Sequence, residues 1–321
     1  MEAVLETLSW PFMSVLNPGI RIYWVYLLVS LYLAIGTIVI RASISGQPTG
    51  EAFKEQLSSK IWWSASAKAD YRYYIINTIL YGMIIAPLVL ASAEIGLWIE
   101  TTTIDWFGPQ QAPMFSTLPM RIAYTVCFFL AMDFGKFYAH LLLHISPFLW
   151  QFHKVHHSAE TLNPLTTYRM HPVDLFLAGS FGNVCGGIVT GIFFYISAGE
   201  ITIYSFLGTQ LLLAIFNMVA NLRHTHIWLD FGILDYIFIS PAQHQIHHSA
   251  LPRHYGKNCG FGMAIWDWMF GTLYVPAERE EFPMGLTPDQ DPSWHKVSQF
   301  YWRPVVLIFG MLKRRYQKRF Q

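Results

Sequence analysis

Charged side chains are scarce in this sequence. Asp, Glu, Lys and Arg make up 13% of its 321 residues, about half the roughly 25% found in soluble domains. With 53% hydrophobic and 17% aromatic residues, the composition reads as that of a membrane protein. The net charge is near balance at +1, and no basic stripe with interleaved aromatics occurs, which argues against nucleic acid as a partner. Cysteine is rare as well. Cys127, Cys185 and Cys259 are odd in number and the first two fall in apolar runs, so no disulfide framework is expected. A basic leader is missing: Glu2 and Glu6 stand at the start. The first long apolar run begins after Arg21 and lacks a small-residue cleavage site, so it is expected to stay as an anchor.

Long apolar runs are what the chain has instead. Crossing a bilayer as a helix takes roughly 20 apolar residues, and five stretches qualify: residues 22–40, 75–99, 122–143, 175–196 and 201–219. Only residues 197–200 separate the last two, with Gly199 as the turn, and the pair reads as a helical hairpin that dips through the membrane and returns. The expected fold is an all-α integral membrane protein with about five membrane-spanning or membrane-embedded helices. Lys and Arg accumulate in cytoplasmic loops. The first loop holds Arg41, Lys54, Lys60, Lys68 and Arg72, whereas residues 100–120 hold none, which assigns the first loop to the cytoplasm. Counting crossings from there puts residues 141–174 and everything after 219 on that same side.

Both of those segments carry the pattern H-x-x-H-H, as His153, His156 and His157 and again as His244, His247 and His248. On a helix the i, i+3, i+4 spacing projects all three imidazoles from one face, and neutral imidazole is the commonest metal ligand in proteins. The side assignment used no histidine, so the co-location of the boxes in a cytoplasmic helical cap is independent of them. His140 and His144, spaced i, i+4, end the third run at the same level. His224 follows the hairpin as a ninth candidate, while His226 lies two residues on, the wrong spacing for the same face. Nine histidines exceed what one metal takes, and the count points to two metals with four or five nitrogens each. Ser146-Pro147 and Ser240-Pro241 precede the boxes, each with the N-cap and N1-proline signature of a starting helix. His171 is left open as a ligand or an orienting group, and His254 and His295 read as surface residues.

Further motifs follow the second box: Asn258-Cys259-Gly260 and the run from Trp266 to Thr272. Together with the histidine pattern, with Asp133 seven residues before His140, and with His171-Pro172, they make residues 120–275 resemble the fatty acid hydroxylase / sterol desaturase superfamily. The resemblance implies a membrane-embedded non-haem di-iron oxygenase, with His140, His144, His153, His156, His157, His224, His244, His247 and His248 as iron ligands. Members hydroxylate or desaturate C–H bonds of sterols, fatty acyl chains, sphingoid lipids or alkylglycerols, using O2 and electrons. Zinc has no redox chemistry and iron does, although zinc can replace iron in purified protein. On this reading residues 1–119 are a membrane anchor region, 120–275 the catalytic region and 276–321 a cytoplasmic tail. The membrane is the endoplasmic reticulum in a eukaryote or the inner membrane in a bacterium.

Asp133 lies within a span, two turns before His140 and on its face, where an ionisable group is costly and usually functional. It is the expected catalytic carboxylate, with pairing to Lys136 as the alternative. Asp174 and Asp267 are candidates for orienting ligand rings from the cytoplasmic side. Trp266 to Thr272 is expected as a lid beneath the ligand helices or an interfacial segment. Gly179, Gly182, Gly186, Gly187 and Gly191 mark either the wall of a lateral lipid route or close helix packing through small residues. No haem-binding domain, Cys-ligated cluster or dinucleotide fingerprint is present, so electrons are expected from cytochrome b5 or a ferredoxin with its reductase. The competing classes are a histidine-rich metal transporter, whose ligands would line a path at mid-membrane, and a zinc hydrolase, for which no H-E-x-x-H motif occurs.

Overall fold

A computed structural model describes residues 2–89, 91–287 and 294–319. Leu90 of the second apolar run and residues 288–293, 320 and 321 of the expected tail lie outside them. Apart from one two-residue hairpin and two isolated bridges, the described residues are helices and connecting loops. Helix α1 covers Glu2–Met13, α2 Trp24–Ser45, and the short α3 and α4 cover Thr49–Gln56 and Ser59–Trp62. Then come α5, Ala65–Leu80, and α6, Ser92–Phe107, joined through a π turn at Tyr81–Ile85 and a 3-10 turn at Ala86–Leu88. Pro87, which has no N–H to donate, sits at this interruption. Helix α7 runs Thr117–Ile145, α8 Leu149–His157 and α9 Pro172–Ile196. The strands β1, Ser205–Phe206, and β2, Thr209–Gln210, lead into α10, Leu211–Ala220. Helices α11, Pro241–His247, α12, Ile265–Phe270, and α13, Val297–Arg319, complete the order.

Among the described residues, four helical stretches are long and apolar enough to cross a membrane: α2, the broken stretch Ala65–Phe107, α7 and α9. The chain is an integral membrane protein. Its fifth apolar run differs from the expected second arm of a hairpin. Residues 205–210 form an antiparallel β-turn with positive φ at Leu207 and Gly208, and the helix that follows has ten residues, about 15 Å of rise. Polar residues explain the break. The irregular backbone takes partners from α7, because lipid supplies none: Tyr204 N donates to Thr125 Oγ1 at 3.0 Å and Gln210 Nε2 to Thr125 O at 2.8 Å.

Glycine lets the bundle close. A Cβ on Gly135 would lie 2.4 Å from the Phe181 carbonyl, one on Gly187 2.6 Å from Ile95 Cβ, and one on Gly191 2.5 Å from the Gly96 carbonyl. Gly135 of α7 and the glycines of α9 thus bring α9 against α7 on one side and α6 on the other, while Gly179 lines a cavity described below. The two ends of the bundle are distinct. Met114 N donates to Ile196 O at 2.9 Å, closing one end. At the other, Arg41 pairs with Asp230 at 2.9 Å and Glu160 N donates to Ser66 Oγ at 3.1 Å. The first loop, the segment after α7 and the chain after α10 therefore gather at one end.

Buried Arg169 ties that end together. Its guanidinium donates to the carbonyls of Val155, Ser158 and Trp294 and pairs with Asp70 of α5 at 2.9 Å, both side chains fully buried. Trp294 and Phe300 share a core with Val155 of α8 and Tyr73 of α5. The three segments drawn from the sequence are thus packed around one core, and the C-terminal helix is part of the support for α8.

Candidate metal centre

The capping chemistry sets the two box helices. Ser240 accepts from Gln243 N and Gln243 returns a bond to Ser240 N, a capping box with Pro241 at the first helical position. At the first box the Ser-Pro pair works differently from expectation: Ser146 closes α7, and α8 starts two residues beyond Pro147, with Trp150 N bonded to Ser146 O. His248 caps α11 from just outside it.

All nine sequence-selected histidines converge, in two groups. His140, His144, His153, His157 and His247 form one, and His156, His224, His244 and His248 the other; within each group one ring nitrogen from each residue lies within 4.8 Å of the rest. His171 and His226 stand outside. His171 is the N-cap of α9, its Nδ1 accepting from Val173 N, and His226 Nε2 donates to Gln56 O at 3.0 Å. His254, expected at the surface, is fully buried with its Nε2 3.3 Å from Glu280, whereas His295 is partly exposed beside Glu160.

The nitrogens fit shared ions better than a hydrogen-bond network. His140 Nε2 lies 3.0 Å from His153 Nε2 and 3.3 Å from His144 Nε2, which is itself 3.2 Å from His247 Nε2. His224 Nε2 is 3.2 Å from His156 Nε2 and 2.9 Å from His244 Nε2. A ring nitrogen has one in-plane site, a hydrogen or a lone pair, yet His140, His144 and His224 each face two neighbours. Nitrogens about 2.1 Å from a common ion and at right angles about it are roughly 3.0 Å apart. His157 Nε2 and both nitrogens of His248 are buried with no protein partner.

The outer nitrogens fix which atom faces inward. His140 Nδ1 donates to Cys259 O and His247 Nδ1 to Lys257 O, each at 2.7 Å, and His153 Nδ1 is 3.2 Å from Asp174 Oδ2. Carbonyls only accept, so these rings carry the proton on Nδ1 and turn a lone pair inward. Burial, above all, holds the box imidazoles neutral, pushing His156 down to about 3 and His153, His157, His244, His247 and His248 well below the ordinary range. His244 differs: Arg223 Nη2 is 2.8 Å from its Nδ1. A guanidinium only donates, so ligation through His244 Nε2 requires a ring without its proton or a shift of Arg223.

The Asn258-Cys259-Gly260 motif now has a physical reason. Asn258 adopts φ 54°, with its amide bonded to Gln243 O and Tyr274 O. A side chain at Gly260 would run into Ile239 and Asp267. Asp267 accepts from Cys259 N and Gly260 N at 2.7 Å each, so it acts on the loop that supports His140 and not on a ring. Asp133 is likewise occupied away from the rings. It accepts from Gly262 N, Met263 N and Trp266 Nε1 at 2.7, 3.1 and 2.8 Å, which fastens the loop after the motif to α7. No carboxylate–ammonium contact joins it to Lys136 among the described residues. On α12 Trp266 turns inward, while Trp268 and Met269 are exposed. Sequence reasoning missed Arg169, Arg223 and the carbonyls of Lys257 and Cys259; backbone acceptors leave no residue-type signal, and a lone arginine beside His224 has no distinctive spacing.

Comparison with known proteins bears on the same residues. Residues 125–272 match the fatty acid hydroxylase family. The chain is 29% identical over 181 residues to an ornithine lipid hydroxylase of Rhizobium tropici, covering 56% of this chain and 49% of the relative. It is 28% identical over 204 residues to an alkylglycerol monooxygenase of Danio rerio, covering 63% and 40%. A putative Delta(7)-sterol-C5(6)-desaturase of Arabidopsis thaliana is 28% identical over 168 residues, covering 50% and 51%. The chain thus spans about half or less of the length of these relatives. No solved structure matches it.

Proposed function

Residues 125–272 of this chain belong to the fatty acid hydroxylase family, and from that premise we propose that the protein is an O2-dependent oxidoreductase that hydroxylates or desaturates a C–H bond of a membrane lipid. The observation that carries the reading is the gathering of nine histidines, seven buried and two half-buried, into two groups at one end of an apolar bundle. Two irons are the proposed occupants, one held by His140, His144, His153, His157 and His247 and the other by His156, His224, His244 and His248. Bound iron supplies the redox chemistry with O2 that zinc lacks. The residues around it have separate tasks. The Lys257 and Cys259 carbonyls and Asp174 orient three rings, burial keeps the imidazoles neutral and so free to ligate, and Asp133 and Asp267 hold the loop that carries those carbonyls. We place the histidine end on the cytoplasmic face, where cytochrome b5 or a ferredoxin with its reductase would deliver electrons. The names of the relatives, a lipid hydroxylase, an alkylglycerol monooxygenase and a sterol desaturase, support a lipid as substrate.

Metal analysis of protein purified without oxygen should find about two irons per chain. Lipid extracts from aerobic cells with and without the intact gene should differ by an oxidised lipid species. Iron-free protein that still restored the missing lipid, or an unchanged lipidome, would refute the proposal.

A further inference from the structure

Three cations line a cavity beside the histidines. The cavity, of about 480 Å³, is bounded by His140, His153, His156, His224 and His244 and by Arg21, Lys136 and Arg223. The three cations gather around the ring of Phe261: Lys136 Nζ stands 4.3 Å from its centroid, Arg21 Cζ 5.4 Å and Arg223 Cζ 5.9 Å. Arg223 is 4% exposed, and while its terminal nitrogens donate to the Phe261 and Gly260 carbonyls, Nε has no partner. Arg21 Nη1 donates to the neutral hydroxyl of Thr167 at 2.7 Å.

No carboxylate of the described residues forms an ion pair with any of the three. Asp133, one turn before Lys136, already accepts from three donors. Like charges gathered in a low-dielectric site repel, and an unpaired intramembrane cation is costly. An aromatic face offsets only part of that cost. Iron in the adjoining groups, ligated by neutral rings, would add more positive charge. What the site lacks is an anion in contact with these cations, since Asp133 and Asp267 act on them only from a distance; Trp10, Ile20, Tyr81, Leu175 and Ala178 give the cavity an apolar and aromatic side, and Ser14, Asn77, Thr78 and Thr167 add neutral polar groups.

We propose that this cavity binds its lipid by a small anionic group, a carboxylate or a phosphate, held by Arg21, Lys136 and Arg223, with the chain lying against the apolar wall. The inference rests on the lipid-oxidising reading and narrows it. It places the head of the lipid beside the histidines, so the carbon oxidised lies in the head or within the first few carbons next to it.

The test uses the full-length, metal-loaded protein in nanodiscs of zwitterionic phosphatidylcholine. Displacement binding compares palmitate and hexadecyl phosphate with uncharged hexadecanol. One or both anionic lipids should bind about tenfold or more tightly than the alcohol, and the stronger of the two names the group. Inorganic phosphate should not displace them; if it does so at equal concentration, the site takes free anions and the lipid assignment fails. Lys136→Met and Arg21→Gln should each remove most of the preference while leaving hexadecanol binding in place, and Lys136→Arg should retain it. Arg21 lies outside any helix, so its variant keeps the test open if Lys136→Met does not fold. Equal binding of acid and alcohol, or a preference unchanged in both variants, overturns the inference, as does a product oxidised far along the chain. Anion preference in a protein that binds no iron would instead refute the oxygenase reading and leave the anion site standing.

Discussion

Neutralising Asp70 should loosen the whole histidine end. Its carboxylate does two jobs: Oδ1 pairs with Arg169 Nη1 at 2.9 Å, and Oδ2 accepts from Thr166 Oγ1 at 2.6 Å and Asn163 Nδ2 at 2.8 Å. Asp70→Asn keeps the shape but leaves the fully buried Arg169 charge without a counter-charge, and breaking such a pair costs about 3–5 kcal/mol. Arg169→Met should cost at least as much, because it also abandons the carbonyls of Val155, Ser158 and Trp294. Arg169→Lys cannot rescue it: three donors on one nitrogen do not reproduce a planar fork that serves α5, α8 and the chain before α13. The exposed pair Arg41–Asp230, at 38% and 44% side-chain exposure, is the internal control, and Arg41→Ala should cost about 0–1 kcal/mol. In detergent, thermal unfolding should fall on the order of 10 °C for Asp70→Asn and hardly at all for Arg41→Ala. Iron content should fall with it, since Val155 and Ser158 flank His156 and His157. If Asp70→Asn unfolds within about 1 kcal/mol of the control, the buried network does not hold α8 and the reasoning is wrong.

Other consequences are more local. His156→Ala and His247→Ala, one from each group, should abolish activity while the protein still inserts, because insertion depends on the apolar helices; full turnover in either would remove that ring from the ligand set. Asp174→Asn, which weakens the acceptor of His153 Nδ1, should lower iron affinity about 10–100-fold, read as faster loss to a chelator, with no change in that rate as the contrary result. Gly191→Ala should destabilise by about 1–3 kcal/mol through overpacking, since its new methyl would meet the Gly96 carbonyl; wild-type stability would mean that α6 and α9 can part without cost. His171→Ala should lose a helix cap of about 1 kcal/mol, and His171→Asn should keep it. Burial pushes His171 down to about 4 from an ordinary value near 6.5, so its contribution is whole above pH ~6.5 and is lost as pH falls toward 4. A stability difference between the wild type and the His171→Asn variant that does not grow across that window would count against the cap.

Much of the centre was legible in the residues because metal ligation demands a residue type at a helical spacing. His140 and His144 on α7, and the two triplets on α8 and around α11, declare a common face through the i, i+3, i+4 rule alone. The charge of loop residues such as Arg41 and Lys54 gives the expectation that those faces share one end, where contacts such as Arg41 to Asp230 gather them. The roles of the acids were not legible. Asp133, Asp174 and Asp267 are all carboxylates near histidines in sequence, yet one holds a ring and two hold a loop, a difference that arises from contacts such as Asp133 to Trp266, 133 residues apart.

The sequence by itself determined the chemistry that is local: apolar runs long enough for a bilayer, histidines on shared helix faces and the serine-proline start of α11. Tertiary structure alone decided how nine histidines divide five and four. It also decided that residues 201–210 are an irregular hairpin and not a helix, and that Arg21 from the N-terminal loop meets Lys136 and Arg223 over one phenylalanine. The reason is physical: a helix fixes the positions of its own neighbours within a turn or two, while groups far apart in the chain are brought together only by packing, here permitted by glycines with no Cβ at the helix contacts and fixed by a buried arginine with no water to turn to.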